Sequence, residues 1–279
     1  MKNKITSPHR PAARSRLIDG IGLPQIIYLV AAPVMALVIA LVTALAISTA
    51  QAGMPDYDAL DEILARNVRN GFVDYDGIAA EPHFDEFINE IGATRPVDLT
   101  SDEARLAFYI NAYNTLAIKG ILDGRSPSSW WGRRKFFKSQ EHNVLGETIS
   151  LETLEHERLG ALGEQRIHFA IVCASMSCPR LSSKAYRPES LNTQLHDAAK
   201  RFINDPTRNR FDPERRIAFL SKIFAWYADD FIAAGGSLQG YLTRFVSAAK
   251  AQDLLRQDEF EIRFVDYDWN LNGRFSGKD

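Results

Sequence analysis

The pattern of apolar and polar positions divides the chain near residue 52. Ile26 to Ile47 is an apolar run interrupted only by Pro33 and Thr43, and it lies inside a stretch, residues 20 to 55, that carries no charged side chain. Its 22 residues suffice for a helix across a bilayer, which needs about 20. Beyond it the period shortens to that of a folded domain. Asp56 to Asn70 reads as a first helix ended by Gly71, and Pro82 to Ile91 as a second. Thr100-Ser-Asp-Glu103 is a capping box, and Leu106, Ile110, Tyr113, Ala117 and Ile121 place a long helix after it.

Alternating apolar residues and turn signals from Lys135 to Ser150 predict a hairpin, and Leu151 to Leu159 a short helix stopped by Gly160. Arg166 to Ala174 is apolar on both faces, the pattern of a central buried strand. Helices are predicted over Pro188 to Ile203, Ser221 to Ile232 and Ser237 to Leu254, and short strands over Arg216 to Leu220 and Phe260 to Val265. The sum is a helix-rich α+β single domain with a small sheet, preceded by one N-terminal hydrophobic helix.

Charge changes how the leader is read. Lys2, Lys4, Arg10, Arg14 and Arg16 precede the uncharged stretch, the profile of an export segment. Ala50-Gln51-Ala52 is a small-x-small cleavage site just after the apolar run, so residues 1–52 are either a cleaved signal peptide or a retained anchor spanning residues 26–47. Residues 53–279 form the globular part. Without residues 1–52 the chain holds 28 Lys and Arg against 34 Asp and Glu, a net charge of −6. A mildly acidic domain offers no electrostatic case for nucleic acid. The expected location is the periplasm or cell envelope, with the membrane as a partner if the leader is kept. The pattern names no protein partner and no cofactor.

Glu155 is out of place on its helix, because Leu151, Leu154 and Leu159 define the apolar face and Glu155 falls in its middle. It either orients a base, binds a substrate group, or pairs with an arginine such as Arg133, Arg134 or Arg166. His156 follows it but points elsewhere. His168 interrupts an apolar run between Ile167 and Phe169, as a core residue or a base.

The same run leads into Cys173-Ala-Ser-Met-Ser-Cys178-Pro179, which holds the chain's two cysteines. Pro179 suits the first turn of a helix, which would put Cys178 at an N-cap where a thiolate is favoured. Cys178 as nucleophile, His168 or His156 as base and Glu155 as orienter would make a cysteine–histidine site. A Cys173–Cys178 disulfide, two inert thiols and, more weakly, a metal site are the other readings; no fourth ligand stands out for a metal. Asn111 and Asn114 are spaced to project from one side of the long helix, either bridging to a neighbouring backbone or presenting paired amides to a ligand.

Five blocks resemble, in order, the signature of the domain of unknown function 547 family: Phe108 to Asn114, Ser150 to His156, Arg166 to Pro179, Leu220 to Phe231 and Tyr267 to Asn272. The resemblance implies a bacterial envelope protein and stresses Glu155, His156, His168 and Ser177-Cys178-Pro179. Some plant members have serine at the place of Cys178, which implies neither an obligatory disulfide nor an obligatory cysteine nucleophile. Two functions follow as expectations. One is an exported hydrolase or acyl transferase acting on peptides or other amides; the other is a non-catalytic binding or scaffolding module with a buried polar network.

Overall fold

The computed structural model describes residues 53–257 and 259–277. The leader, its cleavage site and the expected N-terminal helix lie outside the described residues. Among the described residues no helix is long and apolar enough to cross a membrane.

The centre of the fold is the helix Asp102–Leu122, opened by Ser101, whose hydroxyl accepts from the Ala104 amide. The cap therefore sits one residue later than Thr100. Fifteen of its 21 residues are buried, so the helix is surrounded by other elements, and each polar group on it needs an internal partner. Tyr75–Ala79 and Phe84–Ala93 pack against it, Tyr57–Asn67 packs on those two helices, and Leu191–Ile203 lies farther along the chain.

The first helix ends at Asn67, not Asn70. The chain then turns through Asn70 and Gly71, with φ of 52° and 82°, so that Val68–Arg69 pairs with Phe72–Asp74. Asn-Gly with two positive φ values is the tight turn that matches strand twist, and this local signal outweighs the helical pattern. Gly71 has a second constraint: a Cβ there would lie 2.5 Å from the Cβ of Arg180.

The predicted hairpin is present but shorter, Glu141–Val144 against Glu147–Ser150, with the preceding Lys135–Ser139 wound as a wide π-type turn. The expected single sheet is three separate ones of three, two and three strands among the described residues. In one of them Gly273–Arg274 adds in parallel to Phe72–Asp74, which returns the C-terminal segment to the start of the domain. The helix-rich α+β class holds.

Arg166 to Ala174 is not a strand. Gln165–Phe169 winds as a 3₁₀ turn, and the chain then runs extended without a ladder partner. The sequence pattern correctly marks burial on both faces, because Ile167, Ala170 and Ile171 belong to one apolar cluster while Phe169 belongs to a second, with Phe202, Phe224 and Phe231. What replaces the ladder is the side chain of Asn114: its Nδ2 donates to Ala170 O (3.0 Å) and its Oδ1 accepts from Val172 N (2.8 Å). A side-chain amide can satisfy buried backbone without a neighbouring strand.

Candidate functional site

A cleft of about 530 Å³ opens beside this segment, and Glu155, His156, His168, Cys173 and Cys178 all line it. The elements that supply them come from across the sequence. The turn Leu154–Leu159 is π-wound, and Ser150 caps the helical turn before it by accepting from Thr153 N. The 3₁₀ turn supplies His168, and the loop after it supplies both cysteines. Such widened turns are frequent at functional sites.

Glu155 is buried, as its place on the apolar face predicts, but it has no arginine partner among the described residues. Arg166 is engaged by Glu164 instead. The carboxylate of Glu155 accepts from Tyr113 Oη (3.1 Å) and Tyr227 Oη (2.5 Å). Burial raises both phenol pKa values, and the neighbouring carboxylate raises them further, so the hydroxyls stay protonated donors.

The Tyr227 ring continues the network by stacking on the His168 imidazole, with centroids 3.7 Å apart. His168 Nε2 lies 2.8 Å from Asp230 Oδ2, whereas its buried Nδ1 has no hydrogen-bond partner among the described residues. Burial lowers the His168 pKa below its usual value, although Asp230 pulls it up, so the ring is neutral near pH 7. With Nε2–H directed at a carboxylate, Nδ1 carries the lone pair.

Cys178 is bonded to Cys173. The thiol nucleophile expected at Cys178 is therefore absent from this oxidised form, since a disulfide sulfur carries no thiolate. The helix expected after Pro179 is absent too: the next helical turn begins at Pro188, so no helix dipole acts on Cys178. No metal-ligating group of three side chains occurs among the described residues. Asn111 is likewise displaced from the ligand role. Its Nδ2 donates to Tyr186 O (2.7 Å) and its Oδ1 accepts from Tyr186 N (2.8 Å), so both asparagines bridge the long helix to backbone.

The cysteine loop is held by the C-terminal segment. Met176 N donates to Asn270 O, Ser177 N to Asp268 O, and Asn272 N to Ala174 O. Arg208 clamps the other side by donating to the carbonyls of Met176 and Cys178. Between the cysteines, Ala174 adopts φ of 58°, a left-handed conformation costly for a residue with a Cβ.

Aromatic side chains that sequence reasoning did not single out make the remaining walls, together with Arg133 and Arg134, which the sequence suggested only as partners of Glu155. Trp130 and Trp226 are 59% and 48% exposed at the cleft, where an apolar face otherwise meets water. Trp226 stacks on Trp269, and Arg133 lies over the Trp269 ring at 4.5 Å. Arg134 also lines the cleft, as does Lys138, which pairs with Glu152 at 2.6 Å. Tyr227 and Tyr267 do fall inside the quoted blocks, but nothing local marks a tyrosine as the partner of a carboxylate more than 70 residues away.

Fold and cleft together define a helix-rich α+β domain with a polar floor, an aromatic mouth and a cationic edge. Residues 97–203 match the family model described as "Protein of unknown function, DUF547". The matched region holds Tyr113, Glu155, His156, His168 and both cysteines, and it ends before Tyr227, Asp230 and Tyr267. No curated protein and no solved structure matches the chain.

Proposed function

We propose that the domain is a ligand-binding module of the cell envelope whose cleft takes a compact organic anion with an apolar or ring-shaped part. The carrying observation is the cleft's composition: half-exposed Trp130 and Trp226 beside Arg133, Arg134 and Lys138, above a floor where Glu155 is already held by two tyrosines. Concave, largely apolar sites with a few convergent polar groups are where small molecules bind. The leader, a basic start followed by an uncharged apolar stretch and the Ala50-Gln51-Ala52 site, supports the envelope, as a secreted protein or one anchored by residues 26–47.

The test is titration of residues 53–279 with 8-anilinonaphthalene-1-sulfonate, an aromatic sulfonate that combines both features. The expected result is saturable binding at one site, weakened at least tenfold, or about 1.4 kcal/mol, in Arg133→Ala. Absence of saturation, or equal affinity in the variant, would sink the reading.

One observation favours a second reading, an enzyme of the cysteine–histidine or acid–base kind acting on peptides or other amides. Asp230 fixes Nε2 of His168, while the buried Nδ1 has no partner among the described residues. One ring nitrogen held by a carboxylate and the other left with a free lone pair is the pairing of an oriented base, although a substrate must open a path to Nδ1. For a cysteine nucleophile the Cys173–Cys178 bond must first be opened.

A further inference from the structure

Both sulfurs of the disulfide line the cleft, and their surroundings differ. Cys173 is partly exposed, whereas Cys178 is 2% exposed. Around Cys178 Sγ two donors are already in place, the Cys173 backbone N–H at 2.9 Å and the Tyr267 hydroxyl at 3.2 Å. That hydroxyl lies equally 3.2 Å from Cys173 Sγ, which also contacts Ser175 Oγ at 3.3 Å, so the backbone N–H is the donor that Cys178 Sγ does not share. Burial pushes the Tyr267 pKa up to about 12, so it remains a donor, and Ser175 Oγ in turn donates to it at 3.2 Å. A disulfide sulfur is a poor acceptor, so these donors contribute little while the bond is intact. They would stabilise a thiolate at Cys178 far more.

The bond is also a weak candidate for a structural staple. It closes a loop of only four intervening residues, which constrains the unfolded chain little compared with a long loop. The loop is independently held by the C-terminal segment and by Arg208. Opening the bond thus leaves the loop's other anchors in place.

We propose that the Cys173–Cys178 disulfide is a thiol–disulfide exchange site, reached through the cleft by a small organic thiol that carries an anionic group. This rests on the reading of the cleft as an anion-binding site. The incoming sulfur bonds to the accessible Cys173 Sγ as the bond to Cys178 Sγ breaks. The bonding electron pair leaves with Cys178 Sγ, beside its two donors, and the proton of the incoming thiol goes to that sulfur or to solvent. A second thiol then attacks the substrate sulfur of the mixed disulfide and releases Cys173. Two thiols are oxidised to one disulfide, and the protein pair is reduced to a dithiol.

The experiment treats the full-length native chain with 3-mercaptopropionate or with uncharged 2-mercaptoethanol, traps thiols with iodoacetamide, and locates the label by peptide mass spectrometry. An oxidised peptide of residues 173–178 serves as the reference for each thiol's intrinsic rate. The expected result is reduction without unfolding, with mercaptopropionate favoured at least tenfold over mercaptoethanol after normalisation to the peptide. Tyr267→Phe should slow release of Cys178 several-fold. If that variant fails to fold, Cys173→Ser replaces it, and its single thiol should alkylate at a pH below that of an ordinary cysteine. A disulfide that stays intact until denaturant is added overturns the exchange site. Reduction at equal normalised rates by both thiols overturns instead the anion-binding cleft on which it rests.

Discussion

Asn114 and His168 are both buried polar residues beside the same extended segment, yet they are satisfied to different degrees. Asn114 uses its donor and its acceptor on Ala170 O and Val172 N, and Asn111 does the same on Tyr186. His168, a residue of the cleft wall, uses one ring nitrogen and leaves the other, buried, without a partner among the described residues. Buried polar groups are almost always paired, so completeness marks the scaffold and incompleteness next to a hollow marks the site. Glu155 stands between these cases: it is fully engaged, but by hydroxyls on the cleft floor and not by backbone.

This contrast predicts separable effects. The largest is Asn114→Ala, which strands Ala170 O and Val172 N in the core; urea unfolding should show a loss of about 2–4 kcal/mol. Equal stability to the parent would mean that the amide is not what holds the extended segment. Glu155→Gln keeps an acceptor for one hydroxyl but removes the charge from both bonds. The expected cost is about 1–2 kcal/mol in the same assay, and a neutral result would remove Glu155 from the scaffold altogether.

Acid sharpens the comparison further. The pKa of His168 is lowered by burial, and that of His142 is lowered by burial to about 4. A depressed histidine pKa means that the unfolded chain binds the proton more readily, so the stability these residues contribute is complete above the unfolded value of 6.5 and is lost as pH falls from there through the folded values. Unfolding free energy should decline below pH 6.5, and more shallowly in His168→Gln. An unchanged slope in that variant would show that His168 is not buried neutral.

The smallest stability effect is expected for Trp226→Ala. The residue is half exposed and lies against Tyr267 and Trp269, so its loss should cost under about 1 kcal/mol while weakening binding of the anilinonaphthalene sulfonate probe. A large stability loss with unaltered binding would move it from the cleft to the scaffold.

Local chemistry was readable in the sequence wherever one segment carries its own signal. The long helix announces itself by its cap and period, and the inward carboxylate of Glu155 by a polar residue on an apolar stripe. The segment from Arg166 to Ala174 shows the limit: two apolar faces report burial, but they do not distinguish a ladder of strands from a chain whose backbone is met by one asparagine. Asn111 and Asn114 were legible as a pair and ambiguous in role, since identical spacing serves a ligand or a carbonyl. The tyrosines around Glu155 come from residues 113 and 227, and the side-chain donor to Cys178 from residue 267, which reaches it only once the C-terminal segment has folded back. For the same reason the Cys173–Cys178 pair could be read four ways until its loop geometry was known.

The central claim is that a ligand occupies the cleft beside His168 and Glu155, and the most direct measurement is a crystal structure of residues 53–279 with 8-anilinonaphthalene-1-sulfonate bound. The account predicts the ring system between Trp130 and Trp226, with the sulfonate within hydrogen-bond reach of Arg133 or Arg134. A probe seated elsewhere, with the cleft filled by its own side chains, would contradict it.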